Sequence, residues 1–183
     1  STSSVEADEQ FNYVKTGTDS QKILGRRGDD VRIDWGYFYM AADKNHTNAV
    51  GNALNLRKSF DEGGEVVASN DGNQMALSAK IGKVGAKEVS NYIMVGYDDI
   101  YSIQYFKENI RPYWNRKGDS SIQKQFALAA AEYEQLMKRC EKFDAKLMHD
   151  AAISGGKEYA ELLALAYRQA IAAHKLIETP NGE

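Results

Sequence analysis

A chain of 183 residues has room for one domain, or for a small domain with part of another. Its composition, 43% hydrophobic and 27% charged, is that of a folded globular protein rather than a disordered one. The 23 basic and 26 acidic residues leave a net charge of -3, and no Lys/Arg cluster interleaves with the rings, so nucleic acid is not an expected partner.

The opening "STSSVEADEQ" is polar and acidic and reads as the start of a flexible lead-in over residues 1–18, with no apolar signal-peptide core. "DSQKILGRRGDD" follows as a possible helical turn, stopped by Gly25 and Gly28 with turn chemistry from Asp29 and Asp30. "VRIDWGYFYMAA" has the β-branched and aromatic content of a strand. Val31, Ile33, Trp35, Tyr37 and Tyr39 fall on one face at period two; Arg32, Asp34, Gly36 and Phe38 fall on the other. "NHTNAVGNALNLRKSFDEGG" predicts a helix with Val50, Leu54 and Arg57 on one side, stopped at Gly63 and Gly64. "QMALSAKIGKV" and "KEVSNYIMVGY" predict two strands paired around Gly85.

"GYDDIYSIQYFKENIRPYWNRKG", residues 96–118, stands apart. Six rings, adjacent carboxylates and an Arg-Pro mark a seam between two architectures, with Tyr101, Tyr105 and Trp114 expected to be buried in it. Beyond Gly118 the pattern is helical. Ser120 with Gln123 makes a capping box, and Ile122, Phe126, Ala129, Tyr133, Leu136 or Met137, Cys140, Phe143 and Leu147 recur at three- and four-residue steps. A helix over 121–150 would be about 45 Å long. Gly155 and Gly156 break it, and a second helix carries Tyr159, Leu162, Leu163, Tyr167 and Ile171 on its apolar side before Pro180. Two such helices predict an antiparallel αα-hairpin, more apolar than one mutual contact requires, as though cut from something larger. The expected class is α+β: a β-rich part over 19–118 and a helical part over 119–183. Apolar runs such as "FALAAA" and "LLALAY" are too short to cross a bilayer.

Several motifs have an ordinary reading beside a chemical one. Ser121-x-x-Lys124 has the spacing of a serine nucleophile with a lysine base, yet a serine at a helix start is the commonest cap. His46, His149, His174 and the single Cys140 show no metal-ligand spacing, so neither metal nor cofactor is expected. One cysteine also makes no internal disulfide. Gly25-x-x-Gly28 and Gly82-x-x-Gly85 lack the lysine of a phosphate loop and read as turns.

Asp98 and Asp99 are the leading catalytic candidates, because they end a strand at the seam. The alternative is that they form ion pairs with Arg111 or Arg116 while the rings wedge the two parts together. Two neighbours on a strand end point opposite ways, so one carboxylate should be tied to donors and the other should face a cleft. Tyr97, Tyr101 and Tyr105, at four-residue spacing, would stack on one face of a helical turn. Arg168, on an otherwise apolar helix, is expected to need a carboxylate partner.

"GDDVRIDWGYFYMAA", "GYDDIYSIQYF", "RPYW" and "EYAELLALAYRQAIAAHKL" together resemble the glutaminase A family of secreted fungal and Bacteroides-type bacterial proteins. The four blocks run in family order from about Ser20 to Glu183. The resemblance implies a β-sandwich-like region, of which this chain holds the end, leading into an α/α toroid, of which it holds the first hairpin. It also implies a secreted or periplasmic setting and hydrolysis of L-glutamine to L-glutamate and ammonia, and it assigns no residue roles. That reaction needs an activated water or nucleophile, oxyanion donors, and groups for the substrate carboxylate and ammonium. From residue chemistry, Asp98 or Asp99 could be the base or ammonium ligand. Arg111 or Arg168 could hold the carboxylate, and Tyr101 or Tyr159 could donate a hydrogen bond. Two other classes fit the same layout: a carbohydrate-active enzyme, whose rings would line an open groove, and a structural scaffold, whose rings would be buried. The oligomeric state is left open.

Overall fold

A computed structural model describes residues 2–23, 35–63, 74–79, 83 and 85–182. The chain divides into two compact units, one of Ser1–Tyr101 with Ser121–Phe126 and one of Ser102–Ser120 with Ala127–Glu183. The class is α+β, as expected: antiparallel sheets and a long C-terminal helical run.

In the first unit a four-stranded antiparallel sheet has the order β1-β2-β3-β6. Its strands are β1 (Thr2–Ala7), β2 (Phe11–Gly17), β3 (Tyr37–Asp43) and β6 (Met94–Asp98). Lys15 pairs with Tyr39, and Tyr37 pairs with Asp98. Phe11, Tyr13, Val14, Tyr39, Ala41 and Ala42 are buried and form its core. The first helical turn after Ser121 closes one face. Ile122 and Phe126 are buried, the Phe126 ring lies 5.8 Å from that of Tyr13, and a Cβ at Gly96 would sit 2.9 Å from Phe126 Cζ. Glycine at 96 is therefore what admits the ring.

A second antiparallel pair, β4 (Thr47–Asn52) and β5 (Met75–Ala79), completes this unit. Strand β5 touches β1, β2 and β3; a strand that reaches three successive neighbours lies across a sheet face, so the unit has two β layers. Helix α1 (Ala53–Asp61) starts where Asn52 Oδ1 accepts from the backbone N–H of Leu54 and Asn55, at 3.0 and 3.2 Å. That is a side-chain N-cap.

The second unit holds a hairpin, β7 (Ile103–Tyr105) and β8 (Glu108–Ile110), a 3-10 turn at Tyr113–Asn115, and most of the helical run α2 (Ile122–Ala172). Helical geometry fails at Gly156, with φ 81° and ψ -175°, a region open essentially to glycine alone. Beside it a Cβ on Gly155 would lie 2.6 Å from Tyr159 Cγ. The rings of Phe143 and Tyr167, on opposite sides of the break, are 5.4 Å apart.

Several expectations are corrected. In place of the flexible lead-in expected over 1–18, Thr2–Ala7 and Phe11–Gly17 are strands β1 and β2, because Phe11 and Tyr13 anchor the core. The helix expected from Asn45 is strand until Asn52, whose cap starts α1; Leu56 is its buried residue and Leu54 is exposed. The strands on either side of Gly85 do not pair with each other: β5 pairs with β4, and β6 with β3. Strand β3 starts at Tyr37, and the earlier part expected from Val31 lies outside the described residues, as do Gly25, Gly28, Asp29, Asp30, Gly64 and Gly82. The capping serine is Ser121 rather than Ser120, since Ser121 Oγ accepts the Lys124 N–H at 3.3 Å. That bond occupies the hydroxyl of the Ser-x-x-Lys motif in a structural role. Among the described residues no helix is long and apolar enough to cross a membrane.

Candidate functional site

The end of strand β6 holds the leading candidates. Asp98 is half-buried, and its Oδ1 accepts from the Ile100 N–H at 3.1 Å. Asp99 is buried, at 4% exposure, and its carbonyl accepts from the Tyr101 N–H. The two neighbours do occupy different environments. Between these bonds Ile100 has φ 55°. A β-branched side chain crowds the carbonyl in that left-handed conformation, so the turn stores strain on the order of 1–3 kcal/mol.

The surroundings hold this turn in place. Trp35 Nε1 donates to the Tyr101 carbonyl at 2.7 Å, and the Tyr97 hydroxyl donates to the Trp35 carbonyl at 2.5 Å. Gly36, at φ 93°, backs onto the same turn: a Cβ there would strike the Asp98 carbonyl oxygen and lie 2.9 Å from Asp99 Cα. The side-chain amide of Gln21 accepts the Gly36 N–H and donates to the Gly36 carbonyl at 3.4 Å. Strain survives only where neighbours over-determine the backbone, and these four residues do so here.

By sheet register Asp98 shares a face with Tyr37, Tyr39, Lys15 and Glu6. Lys15 Nζ is 3.3 Å from Glu6 Oε1 and stands 4.3 and 5.6 Å from the ring centroids of Tyr37 and Tyr39. Gln123 Nε2 donates to Glu6 Oε2 at 3.1 Å, tying the helix start to this row. Burial raises the Tyr39 hydroxyl above its ordinary value; Lys15 opposes this, and the negative charges of Glu6 and Asp98 add to it. Tyr39 therefore keeps its phenol proton at neutral pH. Burial would lower Lys15, but the Tyr39 hydroxyl and Glu6 outweigh it and hold the ammonium above its usual range. The result is a row of alternating acid, base and ring groups that leads to Asp98.

The candidates are divided between the two units. Asp98, Asp99 and Tyr101 belong to the first unit, and Arg111, Tyr159 and Arg168 to the second. The Arg111 guanidinium lies against Gly118, with Nε 3.4 Å from where a Cβ would be. Tyr159 and Arg168 are nine residues apart, two and a half turns, so they project from opposite sides of the helix and cannot grip one small substrate together. Arg168 is exposed and needs no buried carboxylate. Arg116 pairs with Glu178 at 2.5 Å rather than with either aspartate. Tyr97 and Tyr105 lie on strands, not on a helical turn, and Tyr105 is 42% exposed instead of buried; Tyr101 and Trp114 are half-buried. Among the described residues no group of three or more His, Cys, Asp or Glu could hold a metal ion.

A sequence profile described as a domain of unknown function, DUF5127, matches residues 1–150. The chain belongs to the DUF5127 family. The match takes in the eight strands found among the described residues, the strained turn and the helical run up to Asp150. No curated protein and no solved structure matches the chain. Glu6, Lys15 and Gln123 were not legible as site residues. They meet Tyr39 and Asp98 only through strand register and a bond spanning 117 residues.

Proposed function

We propose that this DUF5127 chain is the β-to-helical segment of a secreted or periplasmic amidohydrolase of glutaminase A type, which converts L-glutamine to L-glutamate and ammonia. The observation that carries the reading is the strained turn at Ile100, which fixes two carboxylates in unlike environments at a strand end. Strain of this kind clusters at active sites. The four sequence blocks that resemble glutaminase A include this turn. In the proposed reaction a water attacks the side-chain amide carbon, Asp98 accepts the water's proton and returns it to the amide nitrogen, and the C–N bond breaks as ammonia leaves. Asp99, buried, holds the turn.

The helical part is, on this reading, an antiparallel αα-hairpin that opens an α/α toroid. Its support is the Gly156 break and the Phe143–Tyr167 contact across it. Leu128, Ile153, Leu162 and Leu165, each at least half exposed, are the kind of surface that further hairpins would cover. The substrate's carboxylate and ammonium then need groups from the rest of a longer polypeptide, so the 183-residue chain alone should not turn over glutamine. A carbohydrate-active enzyme is the second reading, favoured by the exposed rings of Tyr105 and Phe106. Ammonia release from L-glutamine, measured in parallel with sugar release from oligosaccharides, separates the two. Glutamine turnover by the isolated chain would also contradict the account.

A further inference from the structure

The tip of the β7–β8 hairpin is strained in a way its sequence does not require. Tyr105 pairs with Glu108, leaving Phe106 and Lys107 as a two-residue loop at φ 45° and 72°. Such a loop is normally Asn-Gly, which adopts positive φ at little cost; Phe and Lys each give up roughly 1–2 kcal/mol. What that cost presents is a Phe106 side chain 84% exposed, steadied edge-on by Tyr105 with centroids 4.5 Å apart. Gln104 Nε2 bonds Asn109 Oδ1 at 3.2 Å across the base. This is a preorganised aromatic knob flanked by one cation and one anion, Lys107 and Glu108.

The same unit carries a matching recess. A groove of about 690 Å³ is lined by Cys140, Phe143 and Tyr167 and by the charged Arg139, Lys142, Asp144 and Lys146, the last of which is paired with Asp150. Its size lies in the range that receives a drug-sized ligand, so both rings of the knob fit. Charge complements charge as well: Lys107 answers Asp144, and Glu108 answers Arg139 and Lys142. None of these five groups is in an ion pair among the described residues.

We propose that the hairpin tip of one copy of this chain docks into the helical groove of a second copy. The contact joins two different patches, knob to groove, so one such contact already links two copies without any symmetry between them. It belongs to the 183-residue chain and does not rest on the proposed activity.

Sedimentation of the purified chain over a wide concentration range tests it, because Phe106→Ala removes the knob and a bulky maleimide on Cys140, the sole cysteine and exposed, fills the groove. The wild-type chain should gain mass with concentration, and each altered protein alone should associate at least tenfold more weakly. Mixing Phe106→Ala, which keeps its groove, with labelled wild type, which keeps its knob, should restore a one-to-one complex. A wild-type chain that stays monomeric, or association unaffected by Phe106→Ala, would overturn the proposal. So would a mixture that forms no complex.

Discussion

Replacing Gly36 by alanine tests whether the turn at Asp98–Tyr101 is held by backbone contact. An L-residue at φ 93° gives up about 1–2 kcal/mol. The new methyl also meets two backbone groups of the Asp98–Asp99 segment, which cannot swing aside as a flexible side chain would. Relief requires β3 and the turn to part, loosening the Trp35–Tyr101 and Tyr97–Trp35 hydrogen bonds, each worth about 0.5–1.5 kcal/mol. The sum is on the order of 3 kcal/mol, or a Tm lower by about 6–12 °C in a chain of this size. Gly63→Ala is the control: φ is 66° there, but nothing lies within 4 Å of the added carbon, so only the conformational part is lost. Thermal unfolding followed by circular dichroism reads both. If Gly36→Ala melts no lower than Gly63→Ala, the packing argument fails.

Asp8 gives a pH test. Burial would raise its carboxyl, but the Tyr13 hydroxyl, the N–H groups of Phe11 and Gln10, and Lys44 together hold it below the ordinary carboxylate range. A pKa depressed by folding contributes stability above the unfolded value, and that stability is lost as pH falls through the folded one. Melting temperature should therefore decline more steeply at acid pH in wild type than in Asp8→Asn; parallel profiles would refute this. At the hairpin tip, replacing Phe106 and Lys107 by Asn and Gly should raise stability by about 1–3 kcal/mol: the strain of two residues is relieved, less roughly 0.5–1 kcal/mol for the freer unfolded chain at the new glycine. An unchanged or lowered melting temperature would mean that the tip is not strained.

The parts of the fold set by local pattern were legible in the sequence. The helical run beyond Ser121, with its apolar steps from Ile122 to Leu147 and its break at Gly156, follows from a 3.6-residue period and a glycine that alone adopts φ 81°. Asp98 and Asp99 do differ in environment, but not for the reason the sequence suggested: β6 ends at Asp98, its alternation with Val95 and Tyr97 exposed would leave Asp99 exposed too, and Asp99 is instead buried at the turn beyond the strand. Partner choice was not legible. β5 and β6 flank one glycine-containing stretch and look like a hairpin, yet each pairs with a strand earlier in the chain. The β7–β8 hairpin escaped notice because Phe106-Lys107 carries no turn signal. The polar "TSSVEA" resembled a loose end because β1 is a sheet edge that buries few of its side chains. For the same reason Glu6, Lys15 and Gln123 were invisible as a group, since only nonlocal register assembles them.

The most direct test of the central claim is ammonia release from L-glutamine by the longer polypeptide proposed to carry this chain, comparing wild type with Asp98→Asn and Asp99→Asn. Asn keeps the shape of Asp and its acceptor oxygen at the Ile100 N–H, but it cannot take a proton from water. Asp98→Asn should stay folded and lose turnover by at least a hundredfold, in line with removal of a general base. Asp99→Asn should chiefly lower the melting temperature. Full turnover in folded Asp98→Asn, or no ammonia from the wild-type protein, would contradict the account.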